Sequence, residues 1–297
     1  MAVFNTQAVT SRLGLVRLAA ALCTCVAFSL VIHASAWRGQ QGSWCLFAWC
    51  FSFAVTVLVL LLELSGTAGR IPVSWRNAPV ACAALCSLLC LSASIIYPLY
   101  FLGGVGPGLG RGEAYSHRVA ATVFSCLATV AYTAEVSLCR GRPGETVGYM
   151  ATIPGLLKVV EAFSACVIFA FVSATAYYAY PALQWCLAVY CLCFIMAAIV
   201  IVLCVTELTS YLPSPIHKSL SLYALLCALL YASALVLWPL YCFSPDYGEA
   251  HRPNSCGSHH VCPWDAKLTV AILTGFNLLV YVADLVYSTR LVFITSS

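Results

Sequence analysis

Eight stretches of this chain stay apolar for roughly the length of a bilayer crossing, near 15–36, 44–65, 79–102, 118–139, 155–178, 184–208, 219–242 and 267–293. A helix needs about 20 apolar residues to cross the hydrocarbon core. Lipid offers the backbone no hydrogen-bond partner, so only helices and closed barrels can span it. The strict apolar–polar alternation of barrel strands is absent here. The pattern predicts an all-α, polytopic membrane protein with eight transmembrane helices. Composition agrees: 8% of residues are charged, against about 25% in a soluble domain, too few to cover a soluble surface. Arg12 and Arg17 precede the first run, which ends in Ala34-Ser35-Ala36, as a signal peptide with its cleavage site would. It is read as a membrane helix because an internal segment matches it.

That match is the second constraint. Gly14–Val31 reads GLVRLAAALCTCVAFSLV, and Gly155–Val172, 141 positions on, reads GLLKVVEAFSACVIFAFV. At the same offset Trp44–Phe53 (WCLFAWCFSF) aligns with Trp185–Phe194 (WCLAVYCLCF), and Ser92–Tyr100 with Ser233–Tyr241. For the last helix of each half the offset grows to 149, pairing Ala131–Val136 with Val280–Leu285 and Arg118 with Lys267. Repeats at a fixed offset signal a duplicated structural unit. Four helices per copy return each copy to its starting side, so the repeats are parallel rather than inverted. The expected organisation is a short cytoplasmic N-terminus over 1–11, a four-helix repeat over 12–140, a cytoplasmic linker over 141–153 and a second four-helix repeat over 154–297. With the N-terminus inside, nine basic residues fall on the cytoplasmic side and five outside, which places both termini in the cytoplasm.

Ionisable residues within membrane helices are functional candidates by default. Folding four helices back on one another brings Arg17, Glu63 and Glu135 to one depth, at the cytoplasmic end of the first repeat. Lys158, Glu207 and Asp284 take the same places in the second, and Glu161 lies one helical turn after Lys158. Three readings follow: a charge cluster that clamps the helices, side chains that reach separately to the interface, and an ion or proton relay. The clamp is preferred, because no acid sits near the midplane where transporter sites gather. Asn277 is the main strongly polar mid-helix side chain and is read as helix-to-helix glue. Tyr97-Pro98 and Trp238-Pro239 lie at the outer helix ends, where proline kinks or stops a helix.

The loops exclude several functions. None is long enough for a soluble enzyme domain. Gly103–Gly112 is glycine-rich but lacks the Lys-Ser/Thr pair and the strand-to-helix setting of a phosphate cradle. Basic patches with interleaved aromatics are absent, so no nucleic-acid partner is expected. The six histidines show no recurring catalytic spacing with an acid or thiol, and no cofactor or metal is expected. In the largest outer loop, Cys256–Cys262 reads CGSHHVC. Cysteine and histidine this close could hold zinc, but an oxidising compartment favours a Cys256–Cys262 disulfide. Cys82, Cys86 and Cys90 share a helical face, read as a small-residue packing surface. Cys82, Cys139 and Cys204 lie near cytoplasmic helix ends, where acylation is an alternative.

The segments CVAFSLV (Cys25–Val31), SWRN (Ser74–Asn77), LSASIIYP (Leu91–Pro98), GYMATIPGLLKVVEAF (Gly148–Phe163), LVLWPLY (Leu235–Tyr241) and YVADLVYS (Tyr281–Ser288) carry a family resemblance. The linker RPGETVGYMAT (Arg142–Thr152) is its most specific part. Over nearly its whole length the chain resembles the myeloid-associated differentiation marker family, whose members carry two MARVEL domains of four helices each. The resemblance implies a non-enzymatic plasma-membrane protein that organises cholesterol-rich ordered membrane (lipid raft), with a role in trafficking or cortical organisation. Membrane lipids, cholesterol among them, are the implied partners; a homo-oligomer is left open. The alternative is a small-solute or ion transporter or channel.

Overall fold

A computed structural model of the chain describes residues 7–67, 71–102, 112–140, 148–206, 216–254, 256 and 262–296. Among these residues the regular structure is all helical. The chain divides into two compact units, Met1–Thr152 and Ile153–Ser297. The first holds a single turn α1 (Gln7–Thr10) and four long helices, α2 (Arg12–His33), α3 (Gln40–Leu64), α4 (Ala78–Phe101) and α5 (Glu113–Arg140). The second holds α6 (Ile153–Val172), α7 (Pro181–Val205), α8 (Ile216–Phe243) and α9 (Pro263–Ser296). The eight helices α2–α9 are long and apolar enough to cross a membrane. In each unit the four pack in cyclic order, α2–α3–α4–α5 and back, and α6–α7–α8–α9 and back. Each unit is therefore an up-and-down four-helix bundle.

Local chemistry sets the helix ends. Ser11 caps α2 by accepting the N–H of Gly14 at 3.0 Å, relieving one of the donors a helix start leaves unpaired. A proline stands in the first turn of α4 and of α7, where its missing N–H removes nothing. The turn into α3 presses the Trp37 backbone against Gly42, where a Cβ would lie 2.2 Å from the Trp37 carbonyl oxygen. α6 ends at Val172, short of the 178 expected from hydropathy: the next N–H groups bond back within a turn, and a 3₁₀ turn at Tyr177–Ala179 leads to the proline that opens α7. Pro98 and Pro239 do not stop their helices, which run on to Phe101 and Phe243. About one turn from a helix end, proline removes a single backbone bond with little helix left to lose.

The buried stripe of α2 is made of small residues, Gly14, Ala20, Ala21, Thr24 and Ala27, with Arg17 among them. Small side chains let membrane helices approach closely. The opposite faces carry large apolar residues such as Leu22, Leu99, Val130, Leu222 and Leu279, all more than 60% exposed. Lipid tails, not water, suit such a surface.

Repeated hydrogen bonds tie the second helix of each unit to the third. Trp44 Nε1 donates to Ser92 Oγ at 3.1 Å, and Trp185 Nε1 to Ser233 Oγ at 3.1 Å. Residues 148–152 pack with the first unit, where the Met150 N–H donates to Asn77 Oδ1 at 3.1 Å.

Candidate functional site: a buried charge cluster in each repeat

In the first unit Arg17 sits just over one turn into α2 on its buried face. Its side chain is 2% exposed. Nε donates to Glu135 Oε1 at 2.5 Å and Nη1 to Glu63 Oε2 at 2.6 Å. The planar guanidinium fork suits two carboxylates approaching from different directions. One residue thus joins α2, α3 and α5. Glu63 is less buried than its partners and also accepts the Trp75 indole N–H at 3.1 Å. One turn deeper, Tyr132 shares a hydrogen bond with Thr56 at 2.7 Å and donates to the Ser52 carbonyl at 3.0 Å. A void of about 10 Å³ lies between Arg17, Thr56, Cys82, Tyr132 and Glu135, at the lower limit for one water molecule.

In the second unit Lys158 is fully buried. Its ammonium donates to Asp284 Oδ2 and to both Glu161 oxygens, the latter at 3.3 Å. It also lies 4.1 Å from the centre of the Tyr223 ring, a cation–π contact. Tyr223 Oη donates to Glu161 Oε2 at 2.9 Å, and Ser288 Oγ to Asp284 Oδ1 at 3.3 Å. Polar contacts continue inward through the Tyr223–Tyr281 pair and through Asn277, which donates to the Tyr231 hydroxyl at 2.8 Å and to the Glu161 carbonyl at 3.4 Å. Beyond them Tyr190 bonds Thr274 at 2.8 Å.

The arrangement therefore brings Arg17, Glu63 and Glu135 together, and Lys158 with Asp284. Glu207 lies outside the described residues. Among those described, the second carboxylate at Lys158 is Glu161, from the base's own helix. At the 141-residue offset the counterpart of Glu63 is Cys204, a buried thiol within electrostatic reach of Lys158. Cys82 and Cys139 are half-buried and Cys204 is buried, so an acyl group could reach Cys204 only if the helices parted. The shared face of α4 is inward: Cys86 and Cys90 are buried, and the matching places in α8 hold Cys227 and Tyr231. Trp75 and Tyr223 were not anticipated as partners of the acids. Tyr223 had a signal, because it stands in step with Cys82 at the repeat offset and so shares its helical face.

Cys256 and Cys262 are joined by a disulfide. Beside it, Arg252 grips Asp265 through two hydrogen bonds of 2.9 Å. Among the described residues no group of three or more His, Cys, Asp or Glu side chains is arranged to hold a metal.

Two four-helix units in tandem, built of eight helices long and apolar enough to cross a membrane, define a multi-pass membrane protein. The MARVEL family model, described as a membrane-associating domain, matches twice, at residues 8–138 and 149–287. The myeloid-associated differentiation marker of Pongo abelii is 54% identical, the match covering 98% of this chain and 91% of that protein. The Homo sapiens protein of the same name is 53% identical over 99% of this chain and 92% of its own length. Myeloid-associated differentiation marker-like protein 2 of Homo sapiens is 45% identical over 99% and 96%. The chain belongs to the myeloid-associated differentiation marker family of multi-pass membrane proteins with tandem MARVEL domains. No solved structure matches it.

Proposed function

We propose that this protein is a non-enzymatic organiser of cholesterol-rich ordered membrane at the plasma membrane, with both termini in the cytoplasm, acting in trafficking or in cortical organisation. One observation carries the reading. Arg17 with Glu63 and Glu135, and Lys158 with Asp284, are bonded to one another across helices, so these charges lock the helices of each unit while the lipid-facing exterior remains the working surface. Membership of a membrane-associating family supports the same reading.

The test is partition. Purified chain is reconstituted into giant vesicles of sphingomyelin, unsaturated phosphatidylcholine and cholesterol that separate into ordered and disordered phases. Enrichment in the ordered phase is expected, and exclusion from it overturns the proposal. The same protein in sealed vesicles addresses transport: a proton or ion flux that vanishes on Lys158→Met would put the transporter reading in its place.

A further inference from the structure

At the end of the second unit opposite Lys158 lies a cleft of about 410 Å³, within the roughly 300–1,000 Å³ of small-molecule sites. The turn between α6 and α7 and the segment after α8 form its walls. Tyr180, Tyr241 and Tyr247 meet there, with ring centres 4.8 to 6.0 Å apart. Trp238 is fully buried beside them, its indole N–H bonded to the Lys267 carbonyl at 3.0 Å. Glu249 and Lys267 complete the lining. Among the described residues neither of these side chains is ion-paired, with the other or with any third group.

The wall that carries Glu249 is tightly built. The Gly248 N–H bonds the Ser244 carbonyl at 2.8 Å, the Glu249 N–H bonds the Cys242 carbonyl at 3.1 Å, and Trp264 Nε1 donates to the Glu249 carbonyl at 2.9 Å. A Cβ on Gly248 would fall 2.2 Å from the Cys242 oxygen, so this approach requires glycine. The Lys267 ammonium lies within electrostatic reach of the Cys242 thiol, which faces the same cleft.

We propose that this cleft binds the phosphocholine headgroup of a membrane phospholipid. Two opposite charges that share a cleft without pairing fit a zwitterion. Lys267 meets the phosphate, while Glu249 and the tyrosine faces meet the quaternary ammonium. That ammonium has no N–H to donate, so aromatic faces suit it better than hydrogen-bond acceptors do. A primary-amine headgroup is a more compact and more strongly hydrated charge, which loses more water on entering a ring-lined site, and a purely anionic headgroup would meet Glu249 with nothing to offset it. Position agrees as well: α8 leaves its membrane span at Phe243 and α9 enters at Pro263, which sets the cleft at the headgroup layer. The site depends on the helices crossing the membrane and not on partition into ordered phases, so exclusion from ordered membrane would leave it standing.

The experiment is native mass spectrometry of the full chain in detergent, offered equimolar dioleoyl phosphatidylcholine, phosphatidylethanolamine and phosphatidylglycerol. Phosphatidylcholine should be retained about five-fold over either competitor. Glu249→Gln, at an exposed residue, and Lys267→Gln should each lower that retention about five-fold. Lys267→Arg should restore it, and lipid-facing Leu279→Ala should leave it unchanged. Soluble glycerophosphocholine at the same concentration should not displace the lipid. Equal retention of the three lipids, or unaltered retention in folded Glu249→Gln, would overturn the site. Displacement by glycerophosphocholine would overturn the membrane-lipid source.

Discussion

Arg17 and Lys158 occupy the same place in the two repeats but are different cations, and the difference shapes each cluster. A guanidinium has donors fixed in a plane and reaches two carboxylates on two other helices. An ammonium is a compact charge whose donors turn freely, and it gathers Glu161, Asp284 and the Tyr223 ring around one point. A lone charge at this depth is costly, and breaking a buried pair leaves the survivor uncompensated, at about 3–5 kcal/mol. Arg17→Leu should therefore destabilise the first unit more than Arg17→Leu/Glu135→Leu, with a coupling above about 1 kcal/mol in detergent thermal unfolding. Additive losses would mean that the two side chains act independently and form no clamp. In the second unit Tyr223→Phe removes the hydroxyl that donates to Glu161 and keeps the ring over Lys158. The expected loss is about 1–3 kcal/mol, the cost of leaving a buried acceptor short of a donor, read by the same unfolding assay. Unchanged stability would show that Lys158 alone satisfies Glu161.

At the scale of helices, the repeat preserves contacts as well as letters. The Trp44–Ser92 and Trp185–Ser233 bonds join the second and third helices of each unit with equal length. Ser92→Ala and Ser233→Ala should each cost about 0.6 kcal/mol, the average for a hydrogen bond between membrane helices, and the two costs should agree when unfolding is followed by tryptophan fluorescence. A large cost in one unit and none in the other would mean the shared geometry is not shared energetics. The clusters themselves are not duplicated so closely. In the first unit the base ties α2 to both α3 and α5. In the second, the described contacts tie α6 to α9 directly and to α8 through Tyr223. Among the described residues the second carboxylate at this base is Glu161, on the base's own helix one turn away, where i and i+3 side chains meet without help from tertiary structure.

At the scale of the whole chain, orientation rests on basic residues, and burial changes their count. Arg17 and Lys158 are buried in the units, leaving seven against five of the remaining basic residues on the two sides. The bias still favours cytoplasmic termini. An epitope fused after Ser297 should bind antibody only after cells are permeabilised; staining of intact cells would reverse the topology. With the termini in the cytoplasm, the Cys256–Cys262 disulfide is expected in an oxidising compartment. Peptide mapping of surface-exposed protein without reduction should recover the two cysteines linked, and recovery of both as alkylated thiols would contradict the bond.

The amino-acid sequence by itself determined the eight spans, the duplication and the depth of the charges. Lipid restricts span residues so severely that each Arg, Lys, Glu, Asp, Pro or Trp stands out, and its distance along the helix gives its depth directly. Which way each helix faces was decided only by the tertiary structure. In water an amphipathic stripe marks the buried side. Here lipid and core are both apolar, and α7 or α8 is hydrophobic all round, so no stripe marks the inward face. That Tyr223 turns toward Glu161, that Trp75 reaches Glu63, and that Glu249 and Lys267 share one cleft follow from rotations and loop closures that hydropathy does not record. Packing fixes those rotations: small faces let helices approach, and each buried polar group then finds the partner that lipid does not supply.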